Sequence, residues 1–160
     1  MKRILMTLLA VFMLVGCGGG ETADKNQKES FVFEINDVVI KMNEETSNVL
    51  TSLGKEISYF EAKSCAFDGL DKTYTYQGFQ LITYPDNEKD YVNSVVLTDD
   101  TVTTKEGVYI GDDKTHVLDV YGSSYEEKSG SFVYTKGDST LEIIFENDKV
   151  VSIVYRAIVK

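Results

Sequence analysis

The chain has 160 residues, with Lys+Arg 16 against Asp+Glu 26, a formal charge of -10, one Pro, two Cys, one His and no Trp. The length suits one domain or two very small ones, and 42% hydrophobic residues with 10 Tyr and 8 Phe are enough for a packed core, which excludes wholesale disorder. The acidic balance argues against nucleic acid as a partner, two cysteines cannot build a disulfide scaffold or a four-thiolate zinc site, and a single histidine disfavours His-based metal sites and catalysis.

Lys2 and Arg3 precede an apolar run from Ile4 to Val15. A short positive region followed by a run of this size is the pattern of an export signal, and it falls short of the roughly 20 apolar residues that a membrane-spanning helix needs. The run ends in Leu14-Val15-Gly16-Cys17, which resembles the lipobox of bacterial lipoproteins. In that family the cysteine thiol is diacylglycerated and the signal is cut just before it. The resemblance therefore implies a signal peptide over 1–16, lipid attachment with palmitate-type chains at Cys17, and a mature protein on the outer face of a bacterial cell membrane. The other reading of the run is an uncleaved anchor helix with an incidental cysteine. Loss of residues 1–16 removes two basic and no acidic side chains, taking the charge from -10 to -12. A domain this acidic is repelled by anionic headgroups, so the lipid has to hold it at the membrane.

Residues 17–30 are polar and glycine-rich and read as a flexible tether after the lipidated Cys17. From Phe31 the text reads as two copies of one pattern, over 31–100 and 101–160. Val49, Leu50, Leu53 and Val117, Leu118, Tyr121 share the i, i+1, i+4 spacing of one helical face. Asn43 and Asp112 are candidate N-caps, and Gly54 and Gly122 candidate stops. Strand-like runs follow each helix: 72–77, 79–84 and 91–98, then 131–135, 140–146 and 150–158. Tyr59–Gly69 reads as an extra stretch of the first copy, and Asp99–Gly107 as the polar boundary between copies. The fold class expected is α+β, two tandem repeats that each pack a short helix on an antiparallel β-sheet.

The segment Gly111–Gly122, with Val117-Leu118 and Tyr121-Gly122, resembles a helix-then-sheet module of β-lactamase-inhibitor-like proteins and of the small lipoproteins of the outer-membrane barrel assembly machinery. That resemblance implies a protein-binding module without catalysis. The segments Tyr59–Ala62 and Phe67–Tyr76 also resemble a group of lipoproteins from Gram-positive anaerobes. Because the lipid anchor and the Cys65 stretch depart from the inhibitors, β-lactamase inhibition is not inferred.

Among chemistry-bearing residues, Cys65 reads as a small buried core residue, with an intermolecular disulfide or a reactive thiol as the alternative, and only His116 is available as its base. Asp112, Asp113 and His116 fit a cap, a first turn and a surface pair better than a metal site, and no metal or cofactor is expected. The acidic cluster Asp86, Asn87, Glu88 and Asp90 reads as a solvated hairpin tip, since it lacks EF-hand spacing. Tyr74, Tyr76, Phe79 and Tyr84 form the candidate partner-binding aromatic surface, because tyrosine combines contact area with a polar handle, and the alternative for these strand aromatics is packing between helix and sheet. The function expected is a membrane-anchored, non-enzymatic module that binds another envelope protein. A small-molecule or peptide binder and an envelope hydrolase are the alternatives.

Overall fold

The computed structural model describes residues 29–159. The expected signal peptide over 1–16, Cys17 and the expected tether as far as residue 28 lie outside the described residues. The chain begins with β1 (Val32–Ile35) and β2 (Val38–Lys41), followed by α1 (Thr46–Leu53). Then come β3 (Ser58–Lys63), β4 (Leu70–Tyr76), β5 (Phe79–Asp86) and β6 (Lys89–Leu97). After α2 (Lys114–Tyr121) the chain closes with β7 (Glu126–Lys128), β8 (Ser131–Lys136), β9 (Ser139–Glu146) and β10 (Lys149–Ala157). Asn36-Asp37, Asn87-Glu88 and Asn147-Asp148 all have positive φ at both positions. Two consecutive left-handed residues make the tight turn whose twist matches the flanking strands, and asparagine tolerates that conformation best among non-glycine residues.

β1 and β2 form a two-stranded sheet, and the other eight strands form one antiparallel sheet in the order β3-β4-β5-β6-β10-β9-β8-β7. Two meanders are thus fused edge to edge, with Leu97, Val96, Val95 and Ser94 opposite Ile153, Val154, Tyr155 and Arg156. This overturns the expected fold class: the described residues are half strand and 12% helix, a mainly-β protein built on one continuous sheet. The physical reason lies in the helices. Each spans eight residues, and each buries one apolar side chain, Val49 and Val117. Two such turns cannot close a core, whereas an eight-stranded sheet with a covered face can.

Cross-strand partners share a face, so the register defines the two sides of the sheet. The covered side carries Tyr76, Phe79, Leu81, Val95, Leu97, Ile153, Tyr155, Leu141, Ile143, Phe132 and Tyr134, all buried. Its lid comprises the β1–β2 hairpin, the helices and the 98–113 connection. Phe33 of β1 is fully buried and lies 5.1 Å from the Phe79 ring and 5.8 Å from the Tyr155 ring. Val102, Thr104 and Val108 are buried as well, so the segment expected to be a polar boundary seals the core.

The two helices dock by the same joints. Gly54 and Gly122 end them with φ +75° in both, and their carbonyls accept bonds from Tyr76 Oη (3.4 Å) and Tyr134 Oη (3.0 Å). Glu45 bridges Tyr91 of β6, and Asp113 bridges Lys149 of β10. Neither expected N-cap serves: the capping positions are Glu45 and Asp113, and neither side chain makes a cap bond. The correspondence is one of joints within a single core.

Candidate functional site

An open sheet has two edges, each with a row of backbone N–H and C=O groups that a further strand can take up. Here the two edges are built differently. β7 is three residues long, Glu126, Glu127 and Lys128, all charged and exposed. A short, charged edge repels further strands, which is one of the standard protections of natural sheets. β3 is twice as long, and all six of its residues, Ser58 to Lys63, are exposed. It carries Tyr59 and Phe60 at 45% and 66% exposure, with Ile57 just before it at 73%.

The register on β4 fixes where these side chains stand. Tyr59 lies opposite Tyr74, Phe60 opposite Thr73, and Glu61 opposite Lys72. Tyr59 and Tyr74 pack with ring centroids 5.1 Å apart, and the Tyr59 hydroxyl donates a bond to the Glu61 carboxylate two residues on. That bond, then burial, pushes the Tyr59 hydroxyl well above the usual tyrosine range. Lys72 is held by Asp90 at 2.6 Å, and this bond keeps the Lys72 ammonium above its ordinary value. Phe60 stands on the uncovered side of the sheet. Its neighbours there, read through the register, are Thr73, Ile82 and Ser94, with Arg156 beyond them. Arg156 Nε lies 3.3 Å from Glu142 on the same side.

The four aromatic residues proposed from the sequence stand elsewhere. Tyr76, Phe79 and Tyr84 are buried, and Tyr74 is half-buried against the core. Tyr76 stacks on Phe79 at 5.1 Å. Tyr84 stacks between Phe67 and Tyr91 at 4.8 and 5.7 Å, and its hydroxyl donates to Asn43 Oδ1 at 3.2 Å. They do not make a free aromatic surface, because Tyr74, Tyr76 and Phe79 face the lid, whereas Tyr84, on the side of Ile82, is covered by Phe67 and Tyr91. Tyr76 and Phe79 do wall one small cleft of about 290 Å³ with Leu53 and Val102. The site-forming Tyr59 and Phe60 belong to the stretch read from the sequence as an insertion in the first copy, with no binding role assigned to it.

Cys65 is exposed in the loop between β3 and β4, which corrects its reading as a core residue. His116 lies on α2, pinned at Asp113 to β10, four strands in from the β3 edge. Its Nδ1 is 2.6 Å from Asp112 Oδ2, the i, i+4 pair that the spacing implies. Asp113 pairs with Lys149 at 2.8 Å. Asp112, Asp113 and His116 are thus engaged in local contacts, and Cys65 and His116 belong to separate parts of the sheet. The hairpin tip Asp86–Asp90 borders a polar cleft of about 600 Å³ with Phe67, Lys72 and Pro85. No helix among the described residues is long and apolar enough to cross a membrane. Cys17 lies outside the described residues.

Fold and edge together define a mainly-β protein whose eight-stranded sheet has one blunted and one open edge. No protein-family model, no curated protein and no solved structure matches the chain.

Proposed function

We propose that this chain is an extracytoplasmic lipoprotein, held at the outer face of a bacterial membrane through Cys17, that binds another envelope protein by taking an extended segment onto the β3 edge. The observation that carries the reading is the contrast between the edges: three charged residues at β7 against six exposed residues with Tyr59 and Phe60 at β3. Main-chain bonds supply affinity in this mode of recognition, and alternate side chains supply selectivity. Phe60 and Ile57 offer the apolar anchors, while Glu61 and Lys63 set charge preference. The export signal and Cys17 support placement at the membrane, and the acidic surface keeps the domain soluble and clear of the headgroups.

The test is a photo-reactive phenylalanine analogue placed at Phe60 or, as the comparison, at Glu127 on the blunted edge, in living cells. The expected result is an adduct from position 60 with a second envelope protein, weak or absent from position 127 and lost in Cys17→Ala. Equal labelling from both positions, or none from Phe60, overturns the reading.

A further inference from the structure

We infer that, when no partner segment is present, the β3 edge is occupied by β3 of a second copy in a two-fold antiparallel pair centred on Phe60. This rests on β3 being the binding edge, as proposed above. The register follows from three constraints. Two sheets that continue into each other must keep matching faces, so the dyad has to pass through a residue and not between two. Within Ser58–Lys63, only centres at Phe60 and Glu61 pair five residues of the strand, since centres at Tyr59 or Ala62 run off its ends. A centre at Glu61 sets two carboxylates directly against each other, which is destabilising.

The centre at Phe60 leaves no such conflict. Phe60 meets Phe60 of the second copy on the uncovered side of the sheet. Tyr59 falls opposite Glu61 of the second copy, twice, so the hydroxyl–carboxylate bond already present within each strand can be exchanged across the dyad. Ser58 faces Ala62, and Ile57 faces the alkyl stem of Lys63. The strand carries one Glu and one Lys, so the pairing edge is neutral in a chain of charge -10. A single strand pair is a small interface and weak in dilute solution. Anchoring on one leaflet raises its effective concentration, and a two-fold axis places the two chain entries at Glu29 at equal height, so both tethers reach the same membrane. The pair covers the open edge until a partner strand displaces it.

The test uses the full chain purified from membranes in mild detergent, in a Cys65→Ser background. In the proposed register, residue 60 faces itself across the dyad, whereas residue 58 lies about four residues, or roughly 13 Å, from its own copy. A disulfide needs Cα atoms within about 7 Å. Phe60→Cys is therefore expected to give a disulfide dimer on mild oxidation. Ser58→Cys and Ala62→Cys alone give at least tenfold less, a mixture of those two cross-links, and the Cys65→Ser parent gives none. Absence of the dimer at position 60, or equal dimer from all three single cysteines, overturns the register. Sedimentation of the unmodified chain against Phe60→Asp and Phe60→Lys is the second measurement. Each variant should dissociate at tenfold or more higher concentration than wild type, and an equimolar mixture should re-associate. A wild type that stays monomeric sinks the self-pairing, and an adduct from Phe60 to a different envelope protein would then leave the proposed function standing.

Discussion

Removing one hydroxyl at Tyr134 should cost this protein stability at neutral pH, and that cost should vanish or slightly reverse at alkaline pH. Tyr134 is buried on the covered face, and its hydroxyl donates to the Gly122 carbonyl at the end of α2, at 3.0 Å. A bond of this kind contributes about 1 kcal/mol net, so Tyr134→Phe should lose about that much at pH 7. Burial, with a smaller contribution from Tyr125, pushes the Tyr134 hydroxyl up to about 12. The unfolded chain releases this proton near pH 10, so between pH 10 and 12 the unfolded state binds fewer protons than the native one. Stability from this group is therefore whole below pH 10 and lost as pH rises through 12. For a shift of this size the loss at pH 11 is about 1.4 kcal/mol, slightly more than the hydrogen bond contributes. Tyr121 and Tyr155 are raised too, mainly by burial, but they are common to both proteins and cancel in the difference. Urea unfolding followed by circular dichroism at pH 7 and pH 11 measures both quantities. The variant should be less stable than wild type at pH 7 and equal or slightly more stable at pH 11. A deficit that is the same at both values would refute the argument, because it would mean the hydroxyl is not desolvated in the native state.

The other expectations concern the core, the turns and the ion pairs. Leu81→Ala should cost about 2–5 kcal/mol and Val117→Ala nearer 2, read as urea midpoints, since Leu81 sits in the sheet centre and Val117 is the one fully buried apolar residue of α2. Gly78→Ala should destabilise by several kcal/mol in the same assay. Gly78 has φ +80° and an added Cβ would meet Val102 Cγ1 at 2.6 Å and Thr101 Oγ1 at 2.7 Å. Tyr76→Phe should cost less than Tyr134→Phe at pH 7, because its bond to Gly54 is longer at 3.4 Å. Lys72→Met should cost no more than about 1 kcal/mol, the range of partly exposed pairs, and its effect should shrink in high salt when unfolding is measured across ionic strengths.

The strands that read clearly in the sequence are those with one face in the core. Leu141 and Ile143 alternate with Thr140 and Glu142, and the Asn-Asp and Gly turns bracket the runs, so β9 is visible from period and punctuation alone. β3 has no buried face, and its sequence, Ser-Tyr-Phe-Glu-Ala-Lys, therefore carries no apolar alternation to detect. The candidate site was hidden for that reason: an edge strand announces itself only by where it lies. The reading of Tyr74 and Tyr76 as sharing one side is right for alternating strand residues, but nothing in a single sequence says which side the lid covers. The helical spacing around Val49 and Val117 located both helices, yet spacing does not weigh a two-turn helix against eight strands. The pairing of β6 with β10, which merges two expected units into one sheet, joins residues more than fifty positions apart and leaves no local signal.

The β1–β2 hairpin has a mechanical meaning. The chain enters the described domain at Glu29, so tension applied from the N-terminal side first meets the contacts of Glu29, Ser30 and Phe31 with Lys136, Asp138 and Ser139, and then reaches β1. Phe33, wedged between Phe79 and Tyr155, turns that hairpin into a plug seated in the covered face. Its two short strands pair only with each other, so the load meets side-chain packing before it meets the backbone ladder of the large sheet. Pulling would draw the plug and wet the core while the eight strands remained paired. The domain thus has a built-in order of failure, with the lid yielding before the sheet and its open edge.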